Sequence, residues 1–209
     1  MKARKRTIAC IGVTVALCIL LLAPAARADF GIESFSTTAR NEDGSADTLA
    51  GSHPYEYEVA FAMNQDSEGK VEGTLSELFV DLPPGLVGDT TALPRCSRAA
   101  FVVGFVTICP GDTQVGYLEV EFDGGSIAPT VALYNLTPSP GAAATLGTHV
   151  DIHNAIQDAS VRSGSDYGVT VADTTLPTVI ELQRIVAHVW GLPMAPSHDN
   201  LRFCIPEDP

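Results

Sequence analysis

Two histidines and an aspartate stand at alternate positions in the stretch THVDIHN, residues 148–154. If this stretch is one β-strand, His149, Asp151 and His153 share a face, because successive side chains of a strand point to opposite sides. Two imidazoles and a carboxylate could bind zinc or another divalent ion there, and a metal-dependent hydrolase is one function that such a site allows. The alternative is a polar strand face in contact with water. The sequence favours it, because no general base is evident nearby.

The stretch PSHDN holds the three residue types of a catalytic triad side by side, as Ser197, His198 and Asp199. A triad needs these side chains to converge in space, whereas adjacent residues point apart. We therefore expect a polar turn. No catalytic residue and no cofactor is predicted for the chain.

Three aromatic residues, Tyr134, Tyr167 and Trp190, could together form a ligand platform. Aromatic faces stack on sugar rings, so this platform would suit an envelope glycan. The alternative is that Trp190, which lies in a mixed apolar run, is buried in the core, as large aromatic residues commonly are. An extracellular glycan- or ligand-binding module is thus a second candidate function.

The first residues predict export from the cell. A basic segment, MKARKRT, precedes an apolar run at residues 8–22, and Ala26 and Ala28 occupy the small-residue positions before Asp29. This order is typical of a signal peptide of residues 1–28, cleaved between Ala28 and Asp29. The apolar run has about 15 residues, where a membrane span needs about 20. We expect no membrane span after cleavage and a secreted or cell-surface protein.

The charge of the chain excludes some partners. Of its 12 Lys and Arg, five lie in residues 1–28, which contain no Asp or Glu, so cleavage changes the net charge from −13 to −18. A nucleic-acid-binding protein needs clustered cations to displace counterions from phosphates. The sequence therefore predicts no nucleic-acid partner. An envelope glycan or a protein remains a candidate partner.

Three of the five cysteines remain after signal cleavage: Cys96, Cys109 and Cys204. The 12 residues between Cys96 and Cys109 do not fit the C-x-x-C spacing of redox or zinc sites. In an oxidising compartment, paired thiols form disulfides. A Cys96–Cys109 disulfide is therefore favoured over a redox pair or half of a metal site.

The remaining chain has the pattern of β-strands. In PYEYEVAFAM, residues 54–63, apolar and aromatic side chains alternate with Glu56 and Glu58, and VGYLEVEF, residues 115–122, alternates in the same way. Further short strands are expected in LFVDL, TVALYNL, THVDIH, ASVRS and YGVTVAD. Gly, Pro, Asn and Asp between these runs indicate turns, for example at Asn41–Gly44, where a hairpin turn is favoured over a calcium site. The predicted fold is mainly β, an antiparallel β-sandwich or jelly-roll-like domain at residues 29–209 with one or two short helical turns, and with a seam, if any, at 123–129.

One segment, residues 176–193, fits two patterns. Val179, Leu182, Val186 and Val189 have helical spacing, whereas RIVAHVW alternates as a strand does. We expect a short helical turn followed by a strand.

Several motifs in order resemble the N-terminal region of a family of long, secreted or surface-associated bacterial proteins without known activity. They are AGSHPYEYEVAFAMN, VDLPPGLVGDTTALPRCSRAAF, CPGDTQVG, LYNLTPSPGAAATLG, SVRSGSDYGVTV and VWGLPMAPSHD. The resemblance implies export, a β-rich fold and a Cys96–Cys109 bridge, and it implies no catalytic residues. Proteins of this kind usually continue far beyond the last motif, so a truncated member with Cys204 deprived of its partner is expected.

The sequence thus predicts an exported, non-enzymatic β-sandwich module with a structural or interaction role at the cell surface.

Overall fold

The computed structural model describes residues 30–103, 108–122, 126–127, 130–150, 153–164, 166–178 and 181–202. The predicted signal peptide with Ala28 and Asp29, as well as Asp151, Val179 and Cys204, lies outside the described residues. Within them, no helix is both long enough and apolar enough to span a membrane.

The described chain is mainly β, as predicted. Its ten strands are β1 (Ile32–Arg40), β2 (Glu56–Met63), β3 (Leu78–Asp81), β4 (Gln114–Phe122), β5 (Ser126–Ile127), β6 (Val131–Leu136), β7 (Ala144–Val150), β8 (His153–Val161), β9 (Val169–Asp173) and β10 (Leu182–Trp190). Helical structure in the described part is confined to α1 (Arg98–Phe101) and to 3-10 helices at Gly111–Thr113 and Pro196–Leu201.

The strands form one curled antiparallel sheet in the order β1-β2-β10-β4-β6-β7-β8-β9-β3. The short strand β5 adds to β4 beside this path. Strands β4 and β6, which flank the predicted seam at 123–129, pair directly, so the chain on both sides of it belongs to the same sheet. Strand β10 is inserted between β2 and β4 and ties distant parts of the sequence together.

Alternation in the sequence explains which side chains are buried on each face. Phe61 of β2, Ile185 of β10 and Val120 of β4 are register partners, so they share what we call the first face. A hydrophobic core lies there, formed by Phe61, Met63, Val71, Val115, Leu118, Val120, Leu133 and Leu182. The strand expected in RIVAHVW is confirmed as part of β10, whereas the helical turn expected before it includes residues 179–180, which lie outside the described residues.

A second, smaller core packs on the opposite face, which we call the second face. It consists of Cys96, Phe101, Cys109, Ala132, Tyr134 and Leu136. Ala132 pairs with Tyr117, which pairs in turn with His188, so this face also carries the polar residues described below.

The two cysteines that the sequence pairs are at disulfide-bonding distance, with their Sγ atoms 1.95 Å apart. Cys96 is fixed to strand β6 by two backbone hydrogen bonds, from its N–H to the Asn135 carbonyl (2.8 Å) and from the Thr137 N–H to its own carbonyl (2.9 Å). Ser97 caps α1 by accepting a hydrogen bond from the Ala100 N–H at 3.2 Å. The cysteine pair thus holds a short helix, with the fully buried Phe101, against the second face.

The turn predicted at Asn41–Gly44 is confirmed. The Gly44 N–H donates to the Asn41 carbonyl at 2.9 Å, and the Asn41 N–H donates to the Ser45 carbonyl at 2.8 Å. Gly44 has φ of 82°, a conformation that glycine adopts without steric cost. Asp43 accepts hydrogen bonds from Ser45, so its carboxylate serves the turn.

Candidate functional site

The structure does not support the metal site suggested by THVDIHN. Val150 pairs with His153 and His149 pairs with Asn154, so a hairpin replaces the single strand that the sequence predicted, and that prediction is wrong. Directly paired residues share a face and neighbouring residues alternate, so His149 and His153 point to opposite sides of the sheet. His149 Nδ1 lies 2.5 Å from Asn154 Oδ1. Asp151 lies outside the described residues.

The structure also contradicts the aromatic platform. Tyr134 and Trp190 are each 3% exposed, while Tyr167 is 73% exposed. Tyr134 belongs to the core around the cysteine pair. The three rings therefore do not form a common surface on which a sugar could stack, and the interpretation of Trp190 as a core residue is the correct one.

The stretch PSHDN forms the 3-10 helix Pro196–Leu201, in agreement with the predicted turn. Ser197 and Asp199 are exposed, but His198 is only 1% exposed. Its ring is held between strands and loops of the second face. The polar stretch PSHDN contains no local pattern that predicts burial of His198.

The side chains that could bind a ligand or take part in proton transfer meet instead on strands β2 and β10. His188 is the register partner of Glu58 on one side and of Tyr117 on the other, and Trp190 is the partner of Glu56. All of these side chains therefore project from the second face. We call Glu56, Glu58 and His188 the Glu–His centre.

The Glu–His centre is closely packed and largely shielded from water. His188 Nδ1 lies 2.9 Å from Glu56 Oε1, and the side chains of the two residues are 12% and 13% exposed. Arg40 of the neighbouring strand β1 reaches across to Glu58, with Nη2 and Nε at 2.8 and 3.0 Å from Oε2. The Glu58 side chain is 18% exposed. One oxygen from each glutamate and one nitrogen of His188 all lie within 4.8 Å of one another.

Five aromatic and imidazole rings extend from the centre in a continuous row. Tyr117 stacks on His188 with 4.4 Å between ring centroids and 13° between planes, and it is tilted against Trp190 at 6.4 Å. Trp190 stacks on His198 at 4.4 Å and 17°, and Tyr55 stacks on His198 at 4.4 Å and 25°. We call His188, Tyr117, Trp190, His198 and Tyr55 the ring row.

The 3-10 helix that carries His198 is anchored at several points. The Tyr55 hydroxyl donates to Ser197 Oγ at 2.8 Å and lies 3.2 Å from His198 Nδ1. Arg202, just after the helix, donates from Nη1 to the Gly111 carbonyl at 2.8 Å, and its guanidinium lies 5.5 Å from the centre of the Trp190 ring. These contacts keep the end of the described chain over the second face.

The local electrostatic field is negative at the Glu–His centre. Burial, followed by the charges of Glu56, Glu119 and Glu58, raises the pKa of Tyr117 to about 12. At His198 burial dominates and lowers the pKa, with Glu56 acting in the opposite direction and Arg202 in the same direction. Burial, the larger cause, disfavours a charge of either sign, whereas the carboxylate charges disfavour an anion at Tyr117 and favour a cation nearby.

Three buried nitrogens around this region have no hydrogen-bond partner among the described residues: His188 Nε2, Trp190 Nε1 and His198 Nε2. Buried polar atoms are nearly always satisfied by protein, water or a ligand. Their concentration in the ring row distinguishes this region from an ordinary polar surface.

The sequence predicts which residues of the site share a face within each strand, but it does not predict which strands pair. The alternation in PYEYEV places Glu56 and Glu58 on one face, and the alternation in RIVAHVW places His188 and Trp190 on one face. The pairing of these two strands brings together residues 132 positions apart, and no local pattern specifies it.

No family model, curated protein or solved structure matches the chain. The family resemblance described above therefore remains a prediction.

Proposed function

We propose that the chain is an exported, non-enzymatic β-domain with a structural or interaction role at the cell surface. The observation that carries the proposal is the buried Cys96–Cys109 pair at bonding distance. Disulfides persist in oxidising compartments and are rare in the cytosol. A covalent link between residues 13 positions apart, placed within the second core, suits a domain that works outside the cell.

The arrangement of the Glu–His centre supports a role without catalysis. A general acid or base must reach the proton that it transfers. Glu58 is held by Arg40 and Glu56 by His188, and these carboxylates are more than four-fifths shielded. We therefore assign the centre to holding strands β1, β2 and β10 together.

Export and disulfide formation can be tested on the full chain produced in a bacterial host. We expect the protein in the medium or at the cell surface, beginning at Asp29 and with Cys96 and Cys109 linked in a non-reducing peptide map. The variant A28R, which places a large cation at the cleavage position, should remain unprocessed. A product retained in the cytoplasm, with both thiols free, would contradict the proposal.

The exposed edge of the sheet supports an interaction role. Strand β1 is the first strand in the sheet order, so within the described ranges no further strand pairs with its outer side, and Ile32 and Phe35 on it are each 52% exposed. An exposed edge pairs readily with an extended segment of another chain. Because the domain is strongly acidic after cleavage, the partner that we propose is an extended, basic segment of an envelope protein.

A matched pair of variants tests this edge. F35E places a charge on the β1 edge, and F79E places one on β3 at the opposite end of the sheet, where Phe79 is 59% exposed. We expect F35E to lower the fraction of protein that sediments with cells, and F79E to leave it unchanged. Equal retention of wild type and F35E would contradict binding through β1.

A further inference from the structure

The Glu–His centre has the composition and placement of a metal-ligand set. Its three donors come from two neighbouring strands of a rigid sheet, and they lie within 4.8 Å of one another. We propose that Glu56, Glu58 and His188 bind a first-row divalent transition-metal ion such as Zn²⁺. The ion would cross-link β2 and β10, and the proposal goes beyond the export and interaction roles given above.

The donor types determine the class of ion. An imidazole with two carboxylates suits Zn²⁺ and similar borderline ions, whereas Ca²⁺ and Mg²⁺ prefer oxygen ligands alone. Three protein donors leave one position of a tetrahedral zinc for water, and the shielding of all three side chains limits the access of larger ligands to that position.

The distances require only side-chain movement. Ligands bound about 2.1 Å from a tetrahedral zinc lie about 3.4 Å from one another. His188 Nδ1 and Glu56 Oε1 are already 2.9 Å apart, so this pair is within the required range. No separation between the ligand atoms exceeds 4.8 Å, so none has to shorten by more than about 1.4 Å, which rotation of the long glutamate side chains can provide.

The nitrogen of His188 that would bind the ion is Nδ1, because this atom lies 2.9 Å from Glu56 Oε1. A histidine ligand must present a lone pair to the metal, so Nδ1 carries no proton in the metal-bound state and the ring proton resides on Nε2. Nε2 is buried without a partner in the described part of the chain. The contact between His188 and Glu56 already holds the two side chains beside the proposed position of the ion.

The guanidinium of Arg40 would compete with a metal ion for the Glu58 carboxylate. The guanidinium neutralises Glu58 at 2.8 Å, and the Arg40 side chain is 34% exposed, so it can turn toward water when an ion binds. Loss of this positive charge should therefore strengthen metal binding, while loss of a ligand should weaken it. The two effects have opposite signs, and this distinguishes a metal site from a purely structural ion-pair network.

The test uses the purified exported chain and Zn²⁺ alone, with isothermal titration calorimetry and elemental analysis after dialysis. We expect one ion per chain. H188Q and E58Q should each weaken binding at least tenfold, whereas R40Q should strengthen it severalfold. H53Q, which alters an exposed histidine outside the centre, should bind as the wild type does. Circular dichroism establishes that each variant is folded.

Three outcomes would overturn the proposal: no stoichiometric Zn²⁺, equal binding by wild type and H188Q, or weaker binding by R40Q. Preference for Ca²⁺ over Zn²⁺ would also contradict the assigned class of ion. Export and disulfide formation are measured separately, so a failure here leaves the proposed function to its own test.

Discussion

The ring of His198 lies 4.4 Å from the ring of Trp190, with an angle of 17° between their planes. His198 comes from the 3-10 helix and Trp190 from the last residue of β10, so this stack joins the end of the described chain to the centre of the sheet. Trp190 is the only tryptophan of the protein. Its fluorescence therefore reports directly on the ring row.

Replacement of His198 by alanine should destabilise the protein by about 1–3 kcal/mol, because a stacked ring and buried contacts are lost. The emission of Trp190 should also shift to longer wavelength as water reaches the ring. Urea denaturation followed by tryptophan fluorescence measures both effects. H53A, at an exposed histidine, is the control and should change neither. An H198A protein with wild-type stability and emission would show that the stack contributes nothing.

The stability of the protein should fall below about pH 6.5, the ordinary pKa of histidine. Burial lowers the pKa of His198 in the folded state, against the attraction of Glu56 and together with the repulsion of Arg202. Protons then bind more tightly to the unfolded chain. The contribution of neutral His198 is complete above the unfolded pKa and is lost as the pH falls toward the folded pKa.

Urea unfolding of wild type and H198Q between pH 7.5 and 5 measures this dependence. Wild type should lose more stability than H198Q over that range. Five aspartates have a lowered pKa in the folded protein, so their contribution to stability changes only below their ordinary pKa of 3.8, which is outside this pH range. They are Asp43, Asp47, Asp66, Asp89 and Asp166. Parallel pH profiles for the two proteins would refute the role of His198.

Local alternation was sufficient to predict strands β2, β4 and β10, since each has one face in a core. It was not sufficient at residues 148–154, where Val150 of β7 pairs with His153 of β8. The sequence between these two residues contains neither the Gly nor the Asn that usually marks a tight connection between paired strands. A run of alternating residues can therefore continue through a hairpin and be mistaken for one strand.

The Glu–His centre and the burial of His198 depend on long-range contacts. Glu58 meets His188 because β10 lies between β2 and β4 in the sheet. His198 is buried because the rings of Tyr55 and Trp190 both stack on it. A polar stretch such as PSHDN has no apolar periodicity of its own. Its burial follows from the partners that the fold supplies, and these lie far away in the sequence.

Reduction of the Cys96–Cys109 link should destabilise the domain by about 3 kcal/mol, the value expected for a closed loop of this size. The double variant C96A/C109A should show a similar loss, and a reducing agent should have no further effect on it. Urea denaturation with and without dithiothreitol measures the change. Wild type that is fully reduced, as judged by thiol titration, and yet equally stable would contradict the prediction.

Gly116 permits the close approach of β4 to β10 on which the ring row depends. A Cβ atom at this position would overlap the backbone carbonyl oxygen of His188, and a backbone atom within a sheet cannot move aside as a flexible side chain can. We expect G116A to destabilise the protein by about 1–3 kcal/mol or more through overpacking. The Trp190 emission should change as well, because the displaced residue, His188, belongs to the ring row.

The matched control is G88A, where a Cβ atom would meet no atom within 4 Å. Its stability should stay within about 0.5 kcal/mol of wild type. Urea unfolding of the two alanine variants therefore separates the close approach of the strands from the general effect of losing a glycine, and equal stability of G116A and G88A would show that the β4–β10 contact is looser than described.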